Sequence, residues 1–130
     1  LVAVFEQCQL HDPDPNLRNK SGRPRSNVWR YPERRSSRDT GDPVKPVRLV
    51  ADAIMDSTAA GEIVLDPFLG GGTTLIATEQ TKRVCRGVEF DPRAIDIAIR
   101  RWQAFTGEPA IHSATRRTFD EITSTLGGQT

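Results

Sequence analysis

Residues Glu62–Pro92, EIVLDPFLGGGTTLIATEQTKRVCRGVEFDP, constrain this chain more than any other stretch. Ile63, Val64 and Leu65 form a short apolar run that stops at Asp66-Pro67, which suits a buried parallel strand running into a turn. Gly70, Gly71 and Gly72 then allow a tight backbone turn and leave no side chain above the N-terminus of the next helix. Thr73 or Thr74 can cap that helix, because a hydroxyl accepts a hydrogen bond from an orphan first-turn N–H group. The helix, Thr74–Thr81, leads to a second strand over Arg83–Phe90 with apolar positions Val84, Cys85, Val88 and Phe90. Strand, crossover helix and strand predict a right-handed βαβ unit whose ligand end lies where the strands' carboxyl termini emerge. Asp66 and Glu89 both fall at that end.

The chemistry of the loop separates the ligands it could serve. A phosphate-cradling loop places Lys directly after its last Gly, whereas Thr73 follows Gly72 here. The dinucleotide pattern GxGxxG is half present, since Leu75 stands where the third Gly would fall. A carboxylate at Asp66 repels pyrophosphate and favours a cation such as an amino-acid ammonium, with about 1.5–3 kcal/mol in such a charge-assisted bond. Glu89, after the next strand, is placed to accept both hydroxyls of a ribose. A ligand with a ribose, an ammonium and no phosphate is S-adenosylmethionine. Purely structural roles stand beside these: Asp66 can cap the turn through Pro67, and Glu89 can be a solvated strand end.

The remainder of the chain divides into three parts. Residues 1–45 begin with a β-prone run, Leu1–Glu6, then lose periodicity in a stretch dense in Pro, Gly, Ser, Asn and Arg. Within it Arg18, Lys20, Arg23, Arg25, Arg30, Arg34, Arg35 and Arg38 are interleaved with Trp29 and Tyr31, against only Glu33 and Asp39. Such a run can neutralise phosphates while its aromatics stack on bases, or it can be a solvated flexible loop or linker; a net charge of +1 does not decide between them. Residues 46–107 are the α/β segment. Helix Pro46–Ser57 has Pro46 at its first position and Val47, Val50, Ala53 and Ile54 at helical spacing, and Gly61 closes the turn into the strand. A third helix opens at Asp91-Pro92, with Ile95, Ala98, Ile99 and Trp102 on one face and Arg93, Arg100 and Arg101 on the other; Gly107 ends it. Residues 108–130 are a tail in which Thr118 and Glu121 match a capping box for a brief helix over Phe119–Leu126.

Cys8, Cys85, His11 and His112 match no metal or redox spacing, so no metal site is expected and a reducing, cytoplasmic setting is the default. Cys85 reads as a small hydrophobe on a buried strand. No run approaches transmembrane length. The first residue is Leu, which suits a piece of a longer chain.

Asp66-Pro67-Phe68-Leu69-Gly70-Gly71-Gly72-Thr73-Thr74 resembles the DPFxGSGTT motif of amino-methylating DNA methyltransferases of the permuted β class. Val44-Lys45-Pro46 before a helix resembles that family's HPTxKP element, and Gly87–Pro92 its G-I-E-x-D/N-P strand end. Leu1–Phe5 and Asn27-Val28-Trp29 are similar to the segments preceding these elements. Gly71 replaces the family's Ser, and Gly41–Val44 departs from His-Pro-Thr. The resemblance implies an α/β, Rossmann-like S-adenosylmethionine-dependent methyltransferase fold with a partial sheet. It implies a cofactor site of Lys45, Pro46, Asp66, Pro67, Phe68, Gly70, Gly71, Gly72, Thr73, Glu89 and Phe90. It also implies double-stranded DNA as partner, contacted by Arg23, Arg25, Trp29, Arg30, Arg34 and Arg35, in a bacterial restriction-modification setting. The family activates a flipped base's amine with a (D/N/S)PP(Y/W/F) tetrapeptide, which this sequence lacks: Asp12-Pro13-Asp14-Pro15 has neither the Pro pair nor the aromatic. The resemblance therefore places no catalytic residue in this chain and implies the C-terminal, cofactor-binding half of an enzyme methylating adenine N6 in preference to cytosine N4. By itself that half would be inactive, its partner being the remainder of the methyltransferase. The other reading is a truncated, non-catalytic remnant or binding module.

Overall fold

The computed structural model describes residues 29–31 and 45–127. The strand expected over Leu1–Glu6, the departure at Gly41–Val44, and Arg23, Arg25, Arg34 and Arg35 lie outside the described residues. Among those described, the order is α1 (Val47–Ser57), β1 (Ile63–Asp66), α2 (Thr73–Gln80), β2 (Val84–Gly87), α3 (Pro92–Thr106) and α4 (Phe119–Gly127). The expected α/β class and partial sheet are both present.

Helix α1 starts one residue later than the sequence suggests. Pro46 is extended (φ −60°, ψ 122°) and serves as N-cap rather than first helical residue, its carbonyl accepting from the Leu49 N–H at 3.1 Å. Val50, Ala51 and Ile54 are the buried face, packed with Val47 against Ala77 of α2 and Val64 of β1. Ala51 takes the place expected for Ala53, because positions i+3, i+4 and i+7 from Val47 are 50, 51 and 54.

Strands β1 and β2 pair in parallel, with Ile63 opposite Val84, Val64 opposite Cys85, Leu65 opposite Arg86 and Asp66 opposite Gly87. Alternation puts Val64, Asp66 and Cys85 on the better covered face, and leaves Ile63 at 62%, Leu65 at 64% and Val84 at 40% exposure on the other. Parallel strands are ordinarily covered on both faces, so this sheet carries a branched, apolar face with no layer over it among the described residues. The second strand is shorter than expected, ending at Gly87; Val88, Glu89 and Phe90 belong to the loop beyond it. Cys85 is only half-buried, since the two strands among the described residues give it cover from one side.

Helix α2 is enclosed: Thr74, Ile76, Ala77 and Thr78 are all buried, and the Thr78 hydroxyl donates to the Leu75 carbonyl at 2.8 Å. Helix α3 begins and ends as its sequence dictates. Asp91 Oδ1 accepts from the Arg93 N–H at 2.9 Å, Pro92 fills the first position, and Gly107 closes the helix at φ +76°. Trp102, expected in the core, is half-buried and donates its indole N–H to Glu79 Oε2 at 3.0 Å, joining α3 to α2. The capping box of α4 forms in both directions: the Glu121 N–H donates to Thr118 Oγ1 (3.2 Å) and the Thr118 N–H to Glu121 Oε2 (2.8 Å). The Arg100 guanidinium lies over the Phe119 ring, 5.0 Å from its centre, tying this tail to α3.

Candidate functional site

The carboxyl ends of β1 and β2 meet in one loop cluster. The Val88 N–H donates to the Asp66 carbonyl and the Leu69 N–H to the Val88 carbonyl, each at 2.9 Å, so the two strand-ending segments remain laced together past the sheet. The Gly72 N–H closes a turn onto the Leu69 carbonyl at 3.1 Å. Gly70 (φ +54°) and Gly72 (φ +80°) adopt left-handed backbone that side-chain-bearing residues rarely occupy. Gly72 is the N-cap of α2, which makes Thr73 the first helical residue; neither Thr73 nor Thr74 supplies the hydroxyl cap expected of them.

Asp66 is 4% exposed, and its Oδ1 accepts from the Phe68 N–H at 3.0 Å. The turn-capping role is therefore real, but it uses one oxygen. Oδ2 has no hydrogen bond among the described residues, and a buried carboxylate oxygen without a donor is a strong acceptor awaiting one.

Glu89 is not at a strand's end, and it remains partly exposed while backbone amides tie it down. It lies two residues past β2, half-buried, with Oε2 accepting from the Gly70 N–H (2.6 Å) and Oε1 from the N–H groups of Phe90 (2.8 Å) and Asp91 (2.9 Å). The Asp91 and Gly70 amides, and then that of Phe90, hold its carboxyl below the usual carboxylate range, against a smaller opposing effect of burial. At the mouth, Phe68 is 86% and Phe90 100% exposed, two unburied rings flanking the acids. Large apolar rings left in water beside polar groups are the ordinary dress of a ligand site.

The structure thus brings Asp66, Pro67, Phe68, Gly70, Gly71, Gly72, Thr73, Glu89 and Phe90 into one neighbourhood. Lys45, exposed, and Pro46, half-buried, stand at the N-terminus of α1 and are joined to that cluster by no hydrogen bond among the described residues. Of the basic run, Trp29 is half-buried and Arg30 exposed. The neighbouring Tyr31 hydroxyl donates to the buried Asp52 Oδ2 at 2.5 Å, which moors this short piece on α1.

One participant escaped the sequence reading. Arg101 was expected on the outer face of α3 with Arg93 and Arg100, yet it is half-buried and Nη1 donates to the Gly71 carbonyl. It lies three positions after Ala98, the buried residue of α3, so the two share a face; that spacing was the available signal. Burial of the Cys85 thiol pushes its pKa up, outweighing a Thr78 hydrogen bond, so it is a poor nucleophile. No group of metal-ligating side chains and no helix long and apolar enough to cross a membrane occurs among the described residues.

Comparison with known proteins adds the following. A family model described as DNA methylase matches residues 5–100. The type II methyltransferase M.Cfr9I of Citrobacter freundii is 41% identical over 58 residues, 45% of this chain and 19% of the relative. The type II methyltransferase M.ScaI of Streptomyces caespitosus is 30% identical over 117 residues, 77% of this chain and 38% of the relative. Among solved structures, the complex of M1.HpyAVI with S-adenosylmethionine is 26% identical, with a TM-score of 0.46 over 57% of this chain and 42% of that one. The chain spans well under half the length of these relatives.

Proposed function

The chain belongs to the DNA methylase family, and on that premise we propose that it is the S-adenosylmethionine-binding part of an enzyme that methylates an exocyclic amine of a base in duplex DNA. The observation that carries this reading is Asp66: a buried carboxylate at the end of a parallel strand, one oxygen spent on the turn and the other without a donor among the described residues. That oxygen suits the ammonium of the cofactor's methionine moiety. It would be worth about 1.5–3 kcal/mol as a charge-assisted hydrogen bond. Glu89 retains acceptor capacity for one ribose hydroxyl, because its three amide partners leave about one of the carboxylate's four lone-pair sites free. Phe68 and Phe90 offer apolar surface to a purine, and Gly70–Gly72 let the cofactor approach the backbone closely. Lys45, Pro46, Pro67 and Thr73 complete the proposed site. When bound, S-adenosylmethionine supplies the electrophilic methyl group on its sulfonium. The acceptor is adenine N6 in our reading, with cytosine N4 as the alternative, presented after the base leaves the stack.

The sequence lacks the family's (D/N/S)PP(Y/W/F) tetrapeptide, and the proposal assigns activation of that amine to the remainder of the methyltransferase. The exposed face of Ile63, Leu65 and Val84 supports the assignment, since a parallel sheet calls for a second layer there. We assign duplex contacts to Arg23, Arg25, Trp29, Arg30, Arg34 and Arg35. Reversing four of these arginines to Glu should weaken duplex binding and flatten its logarithmic salt dependence by roughly 0.9 for each phosphate no longer neutralised. The cofactor reading is tested by isothermal titration of S-adenosylmethionine into the chain. Saturable binding by the parent, weakened in Asp66→Asn, supports it; a folded chain that takes up no cofactor favours the non-catalytic remnant. A (D/N/S)PP(Y/W/F) tetrapeptide encoded upstream of Leu1, with methyl transfer to DNA by the longer chain, would establish the enzyme.

A further inference from the structure

The glycine loop is gripped from two sides by opposite charges. From the strand side, the Glu89 carboxylate takes the Gly70 N–H at 2.6 Å. From the helix side, the Arg101 guanidinium reaches thirty positions back along the chain to the carbonyl of Gly71. An anion on the N–H and a cation on the carbonyl of consecutive residues match the polarity of the backbone between them. The approach of α3 is close: a Cβ built on Gly71 would stand 3.5 Å from Arg101 Nη1 and 3.7 Å from Ile97 Cγ2, and one on Gly72 would stand 2.7 Å from Ala98 Cβ. The face of α3 formed by Ile97, Ala98 and Arg101 is thus the floor of the loop. Arg101 is half-buried in making this contact, and burial lowers its pKa from the usual guanidinium value, a cost that a surface arginine does not bear.

We propose that Arg101 is a positioning residue, fixing the Gly70–Gly72 loop in its cofactor-receiving conformation through the Gly71 carbonyl. The inference deepens the S-adenosylmethionine reading and rests on it for the ligand, but the loop-fixing role stands on its own contact. Three glycines in succession have little intrinsic preference for one conformation, and two of them are left-handed, so an external tether decides the shape. Arg101→Met keeps the aliphatic stem over the loop and removes the donor. Arg101→Lys keeps charge and a donor without the planar fork.

The test combines amide hydrogen exchange at Gly70 and Gly72, whose N–H groups are bonded to Glu89 Oε2 and the Leu69 carbonyl, with titration of S-adenosylmethionine, and thermal melting verifies that each variant folds. In Arg101→Met the loop amides should exchange several-fold faster while those of α4 are unchanged, and cofactor affinity should fall about tenfold, the low end expected for removing a charged hydrogen bond. Arg101→Lys should recover part of both. Unchanged loop exchange in a folded Arg101→Met overturns the inference, whatever the affinity. Faster loop exchange in Arg101→Met, when the parent binds no S-adenosylmethionine, upholds the tether and sinks the cofactor reading instead. If Arg101→Met does not fold, Arg101→Leu, which also lacks a donor, takes its place: loop exchange equal to the parent's in the folded variant overturns the tether, and faster exchange at the parent's melting temperature supports it.

Discussion

Gly72→Ala should be the most damaging single-methyl change in the loop, and its cost can be worked from two separable sources. The residue sits at φ +80°, where an L side chain is strained by roughly 1–2 kcal/mol. The added Cβ would also meet Ala98 Cβ at 2.7 Å and Ala98 Cα at 3.0 Å. Neither atom can rotate away, because both belong to the body of α3, so helix and loop must move apart. Overpacking of that kind costs about 1–3 kcal/mol, for a total of roughly 2–5 kcal/mol. At roughly 4 °C per kcal/mol for a chain of this size, the melting temperature should fall by about 8–20 °C. Gly70→Ala is the built-in control: it has φ +54° but nothing within 4 Å of its Cβ, so it should bear the backbone strain alone. Gly71→Ala, whose nearest neighbour would be Arg101 Nη1 at an ordinary contact distance of 3.5 Å, should change stability by about 0.5 kcal/mol or less. Urea denaturation of the three variants beside the parent measures the series. The reasoning is refuted if Gly72→Ala is no less stable than Gly70→Ala, because the close approach of α3 would then contribute nothing.

Asp66→Asn keeps an acceptor for the Phe68 N–H but loses the negative charge; it should melt close to the parent while binding S-adenosylmethionine more than tenfold more weakly, and equal affinity by titration would remove Asp66 from the cofactor site. Glu89 and Glu121 both have carboxyls held below their ordinary value of 4.5, chiefly by the backbone amides of Asp91 and Thr118 respectively. A depressed folded-state pKa contributes stability that is present above the ordinary value and is lost as pH falls through the lowered one. Urea midpoints should therefore hold steady from neutral pH down to about pH 5 and then decline, with a shallower decline in Glu121→Gln; a flat profile through that acid range would contradict the amide contacts. Thr118→Ala removes one arm of the capping box and should cost α4 about 1 kcal/mol, seen as faster amide exchange in Phe119–Gly127 with the α1–α2 core unaffected.

Local signals in the sequence were honoured wherever neighbouring residues settle the outcome among themselves. Asp91-Pro92 opens α3 and Gly107 closes it; Thr118 and Glu121 cap α4; Asp66 and Glu89 flank the glycine loop beyond two parallel strands. Each is decided within a few residues by φ preference, a side-chain acceptor or the period of the apolar pattern. That much, with the family motifs, sufficed to locate the loop and the two acids expected to serve a nucleoside-like ligand. Contacts between residues distant in sequence were not legible. Thr73 and Thr74 are competent caps, yet the left-handed turn of Gly72 fills the capping position, because Ala98 of α3 leaves it no room for a side chain. Glu89 resembles an open ligand acid, but only the fold shows the Gly70 amide already in its grasp. Arg101, to all appearance a solvent-facing cation, becomes the tether of the loop because α3 returns across it after thirty residues. Spacing along a chain fixes which face of a helix a residue occupies. Which of those faces meets another element depends on how the elements pack, and that was decided only in three dimensions.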